Sequence, residues 1–331
     1  MAFIINGADW NFNGLTPEQA EVLIDRALEF IEVSEARGQG VAIGDDFQTR
    51  PMYEMLTLWE MFSQASPFQV RRELSQELAA WLNKAPRYVD AYEWPDGFDD
   101  AAISIDGAPP SCNDDVAWVH HSVRAGIPAA SLAIGATGIF TTETSTGSAD
   151  LHFVSNDTER KHFWRDMILL EGDNLNSLLK YSSRAYPDLY FIHGVLEDAA
   201  RLSGGYASSR HRVRNALEIL DDWGSWAFTY PPPAIAPNEG PPSEFAANPT
   251  NQLIEHRFAG FGIDAAPEKP NVRNDSVCRT ARETALATRT LYCEWHVKLE
   301  PHQNRIHFHP PVPESRDKVV IGIIHEHLPL P

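Results

Sequence analysis

The stretch Leu291-Tyr292-Cys293-Glu294-Trp295-His296-Val297-Lys298-Leu299 decides the fold of the C-terminal region. Leu291, Cys293, Trp295, Val297 and Leu299 alternate with Tyr292, Glu294, His296 and Lys298. A period of two places the first set on one, apolar face of a strand and the second set on the other, polar face. After a short connection, Ile306 and Phe308 alternate in the same way with Arg305, His307 and His309, so residues 304–309 read as a second strand. The brief link over 300–303 favours a hairpin, which makes the two strands neighbours. A third segment, Val319-Val320-Ile321-Gly322-Ile323-Ile324, is apolar on both faces, as in a central strand, and residues 318–325 complete an antiparallel unit.

The hairpin has a chemical consequence. His296 and His307 each sit opposite the apolar set of their own strand, so both project from one side, with Lys298 and Arg305 beside them. These four are the candidate catalytic residues, since imidazole titrates near neutral pH and can act as acid or base. Six of the 13 histidines fall between positions 296 and 327. Two pairs, His307/His309 and His325/His327, have the H-x-H spacing that can offer two imidazoles from one strand face, so these four are the candidate metal ligands. A structural or interface role for the same histidines stands beside both readings, because no Asp or Glu is visibly paired with them.

Outward from this unit the chain reads as α+β. Thr16-Pro17-Glu18-Gln19 is a helix start with a capping box, and the helix runs to about residue 37. Residues 52–63, 69–83, 113–125, 157–170, 174–184, 195–202, 206–223 and 274–287 also read as helices. Short strands are expected at 40–44, 129–134 and 138–144, the last forming a hairpin with 149–154. The uncharged stretch 125–142 is broken by Pro128, Gly135 and Gly138, so buried strands fit it better than a membrane span. Prolines crowd residues 229–250, which can be neither helix nor central strand. Four regions follow: an acidic α+β region at 1–155, a helical region at 156–228, a Pro-rich wrap or linker at 229–273, and a C-terminal helix with an antiparallel β unit at 274–331.

Composition narrows the function classes. The 331 residues are 43% apolar, ample for a buried core. The formal charge is −19, and residues 1–120 hold 21 acidic against 7 basic side chains, or −14 of that total. Such a surface repels phosphate backbones, which argues against broad electrostatic nucleic-acid binding by the N-terminal part. Three cysteines, Cys112, Cys278 and Cys293, at irregular spacing form neither a disulfide framework nor a zinc motif. Reduced thiols and the lack of a signal-like N-terminal segment lead to a cytoplasmic expectation. There is no phosphate loop, nucleophile elbow, dinucleotide fingerprint or His-Glu-x-x-His, and no cofactor is expected.

In pattern, Arg305-Ile306-His307-Phe308, a polar turn, Val319-Val320-Ile321-Gly322-Ile323-Ile324 and His327-Leu328 resemble the last strands of RelE/ParE-type bacterial toxins. The rest of the chain is similar to uncharacterised bacterial proteins of comparable length. The toxin resemblance covers about an eighth of the chain. It implies a curved antiparallel sheet backed by helices and RNA cleavage by basic and imidazole side chains. This chain departs from those toxins in being large and acidic. The leading expectation is a non-enzymatic interaction subunit of a bacterial stress or antiviral (phage-defence) assembly, with proteins as partners and no membrane. The alternatives are a toxin-like protein acting on RNA through the His/Arg face, and a metal-dependent hydrolase.

Overall fold

Thr16 opens helix α1 (Pro17–Ala36) through the expected capping box: its hydroxyl accepts from Gln19 N, and the Gln19 side chain accepts from Thr16 N. The computed structural model describes residues 2–63, 65–91, 93–229 and 249–331. Their contacts divide the chain into two units, Met1–Phe163 and Trp164–Pro331. The class is α+β in both. The two units cut across the four regions read from the sequence.

The first unit is built on a seven-stranded mixed sheet. Its strands are β1 (Phe3–Ile5), β2 (Val41–Ala42), β5 (Ala102–Ile105), β6 (Ser111–Cys112), β7 (Ala130–Leu132), β8 (Gly138–Thr144) and β9 (Gly147–Val154); β3 (Pro51–Tyr53) and β4 (Leu56–Thr57) pair separately. The order is β2-β1-β7-β9-β8-β5-β6. The first four strands run parallel and the rest antiparallel. Helix α4 (Asp114–Arg124) lays Val116, Val119 and Trp118 into a core shared with Ile4, Tyr88, Leu151 and Phe153. The β8–β9 hairpin turns on Ser145 and Thr146, with Thr144 opposite Gly147. Residues 52–63 are not one helix. Glu54, at φ 53°, reverses the chain between β3 and β4, and only α2 (Leu58–Met61) is helical. Helix α3 (Arg72–Leu82) follows as its apolar spacing predicts.

In the second unit, helices α6 (Leu175–Ala185), α7 (Gly205–Ala227) and α8 (Asn251–Gly260) accompany a five-stranded sheet; helix α5 (Asp157–Leu170) precedes them across the division. The sheet holds β10 (Leu189–Phe191), β11 (Ala265–Pro267), β14 (Trp295–Glu300), β15 (Gln303–Val312) and β16 (Lys318–His325), in the order β10-β16-β15-β14-β11. Four strands are antiparallel, and β10 joins the edge parallel to β16. Helix α7 covers one face so closely that a Cβ at Gly224 would lie 2.8 Å from the Val319 side chain. Phe228, Phe258, Trp295 and Phe308 interlock edge to face on this side.

Two expectations change here. Residues 274–287 form no continuous helix: α9 (Pro270–Asn274) and α10 (Ser276–Thr280) are single turns, and β12 (Glu283–Leu286) pairs with β13 (Arg289–Tyr292). The alternation over 291–299 therefore spans two strands, β13 in that small hairpin and β14 in the main sheet. All three cysteines are free, Cys112 exposed and Cys278 and Cys293 buried. Residues 230–248 of the Pro-rich segment lie outside the described residues. Among the described residues no helix is long and apolar enough to cross a membrane.

Candidate metal centre

Strands β14 and β15 pair so that His296 lies opposite His307 and Lys298 opposite Arg305. The turn between them is Pro301-His302, with Glu300 opposite Gln303 and His302 at φ 65°. Proline followed by a positive φ is the pattern of a type II turn, and it fixes the register that aligns the two imidazoles. Their ring centroids are 5.4 Å apart. His307 is 1% exposed and His296 9%.

A carboxylate completes the pair. Strand β11 runs antiparallel to β14 with Ala266 opposite His296. Two residues further along, Glu268 returns to the same face, and its N–H donates to the Glu294 carbonyl at 2.6 Å. Glu268 Oε1 lies 3.4 Å from His296 Nδ1 and 3.5 Å from His307 Nδ1. Among the described residues neither Nδ1 has a hydrogen-bond partner, although both are buried. Arg282 supports the carboxylate from behind: its Nε donates to Oε1 at 2.7 Å, and its Nη1 donates to the Cys278 and Pro329 carbonyls.

The electrostatics favour an ionised Glu268 and a neutral His307. Burial opposes ionisation of Glu268, but His296 and Arg282 outweigh it and hold the carboxyl at about 2. Burial, with His296 adding to it, drives the His307 imidazole well below its ordinary value. Neutral imidazole and ionised carboxylate are the forms that ligate metals.

Two of the three donor separations also fit an ion, and all three lie within 4.8 Å. Ligands bound at about 2.0–2.2 Å in a tetrahedron stand about 3.4 Å from one another. Both imidazole-to-carboxylate separations match that edge. At the same distances a hydrogen bond is weak. Two histidines and one carboxylate form a donor set used by catalytic zinc, with a fourth position left for water. Among the described residues, Glu268, His296 and His307 are the one His/Cys/Asp/Glu group with this proximity.

The four candidate catalytic residues thus come together on one face, beside a cavity of about 490 Å³. The H-x-H pairs do not. His309 Nδ1 turns to the Pro310 carbonyl, and His325 Nδ1 accepts from His327 N. A register shift between His307 and Phe308, opposite Gly322, breaks the simple alternation along β15 and β16. His327 lines the cavity from beyond the end of β16. Glu268 and Arg282 are the participants that sequence reasoning missed. Glu268 sits between Pro267 and Pro270, where a three-residue edge strand shows no alternation to read. Comparison of the chain with protein-family models, curated proteins and solved structures yields no match.

Proposed function

We propose that the protein is a metal-dependent hydrolase centred on Glu268, His296 and His307. One observation carries this reading: two buried imidazole nitrogens without hydrogen-bond partners both stand a tetrahedral edge from one carboxylate oxygen. A zinc-like ion held there would lower the pKa of a bound water and supply a nucleophile at neutral pH. The chain's own residues hold and orient the donors. Arg282 fixes the Glu268 carboxylate, as outer hydrogen-bond partners of metal ligands commonly do. The β14–β15 register fixes the two rings, and the adjoining cavity admits the substrate.

An imidazole acid–base action on RNA would draw on the same His296, Lys298, Arg305 and His307 but needs no ion, so chelation separates the two readings. The full chain, stripped with chelator and reloaded with zinc, is assayed against a panel of activated acyl and phosphoryl esters. Hydrolysis is expected only after reloading, and is expected to fall at least a hundredfold in the His296→Ala/His307→Ala variant. Equal turnover by stripped and reloaded protein, or no turnover of any ester by zinc-loaded protein, would overturn the proposal.

A further inference from the structure

The cavity beside the centre has a charge that the rest of the chain does not. In a chain of formal charge −19, its lining includes Lys269, Arg282, Lys298 and Arg305, and Glu268 is the one side-chain carboxylate among them. Two of these cations are already matched. Arg282 is paired with Glu268, and Lys298 with Asp264 at 2.9 Å. The other two are not. Lys269 is exposed, and neither it nor Arg305 forms an ion pair among the described residues; Glu268 and Asp264 act on Arg305 only at longer range. Arg305 spends Nη1 on the main-chain carbonyls of Glu300 and Gln303, which anchors one edge of the guanidinium. It stands directly opposite Lys298, whose charge Asp264 already matches. An anchored guanidinium without an ion pair, beside a donor cluster, calls for an anion.

We infer that this cavity binds a small phosphate monoester, with Arg305 and Lys269 holding the phosphoryl group beside the Glu268–His296–His307 centre. The inference rests on the metal-dependent reading for its chemistry and on the two unmatched cations for its binding. Phosphate suits them because a guanidinium presents two N–H groups that match two phosphate oxygens, and a dianion balances two cations. A small molecule suits the space, since about 490 Å³ lies within the range of small-ligand sites. A polyanion would need more phosphate contacts than two cations supply. Hydrolysis joins the oxygen of one water to phosphorus and breaks the bond from phosphorus to the leaving oxygen. A proton from the water passes to that oxygen, giving an alcohol and inorganic phosphate with no change in oxidation state.

The test is calorimetric titration of inorganic phosphate into the full chain, stripped and zinc-loaded. Acetate and a short single-stranded RNA serve as rival probes. Phosphate is expected to bind the stripped protein, to bind the zinc-loaded protein more tightly, and to bind at least tenfold more tightly than acetate. Arg305→Gln is expected to weaken phosphate binding at least tenfold while zinc stoichiometry stays unchanged. Lys269→Gln, at an exposed position, is expected to weaken it by a smaller factor. Arg305-dependent phosphate binding without any zinc binding would support the anion subsite and sink the metal centre. No phosphate binding in either form, undiminished binding in both variants, acetate bound as tightly, or RNA bound more tightly than phosphate would overturn the inference.

Discussion

Glu268 shows how a single side chain can be decisive and still escape a sequence reading. Its position between prolines hides the strand that aims it, and its partners are 14, 28 and 39 positions away at Arg282, His296 and His307. The imidazoles were legible because each lies in a strand long enough to alternate. Asp115 in the first unit is a second buried carboxyl that no motif announces. It accepts from Gly7 N and the Tyr88 hydroxyl, and Arg50 stands 3.7 Å away. Burial nevertheless dominates and pushes its pKa up to about 6. The folded state therefore holds this proton more tightly than the unfolded chain, whose value is near 3.8. The stability it contributes is full below pH ~4 and is lost as pH rises towards 6. Asp115→Asn removes that ionisation. Urea unfolding across this window is expected to show the variant gaining on the wild type as pH rises, by roughly 1–3 kcal/mol in total. A difference that stays flat with pH would contradict the assignment.

Among elements, the β14–β15–β16 unit was the most legible and the surrounding short segments the least. Strands 304–309 and 318–325 pair as the alternation requires, since period two and a brief turn are local properties. The expected helix at 274–287 failed because capping signals such as Asp275 open only one turn before the chain enters β12. A short helix stabilised by neighbours leaves little periodic pattern. Strand β16 carries a feature that only packing explains. His307 pairs with Ile323 and Phe308 with Ile321, so Gly322 is the extra residue of a bulge. A Cβ there would lie 2.2 Å from Cys293 Sγ, and burial holds that thiol inert by pushing it up to about 12. Gly322→Ala should thus destabilise the second unit by about 1–3 kcal/mol through overpacking, read as a lowered melting temperature. Pairing it with Cys293→Ala, which frees that space, should recover much of the loss. Additive losses in the double variant would argue against the contact.

At the scale of the molecule, the α+β class followed from local periodicities, whereas the division at Phe163/Trp164 and the sheet orders did not. Strand β1 pairs with β7 and β10 with β16, each more than a hundred residues away, and β11 enters the second sheet from a stretch that reads as Pro-rich. Such pairings are set by which apolar faces meet after collapse, which no window of sequence encodes. The acidic surplus of the first 120 residues and the cationic cavity of the second unit are opposite in sign, and the cavity became visible only once β11, β14 and the C-terminal tail lay side by side. The central claim is that Glu268, His296 and His307 hold one divalent ion. Zinc titration of the chelator-stripped full chain, followed by calorimetry and by metal analysis after dialysis, tests it most directly. The expected result is one zinc per chain with a dissociation constant below about 1 μM, and none in a His296→Ala/His307→Ala variant that keeps its melting transition. A wild-type chain that retains no zinc, or a double variant that retains as much, would contradict it.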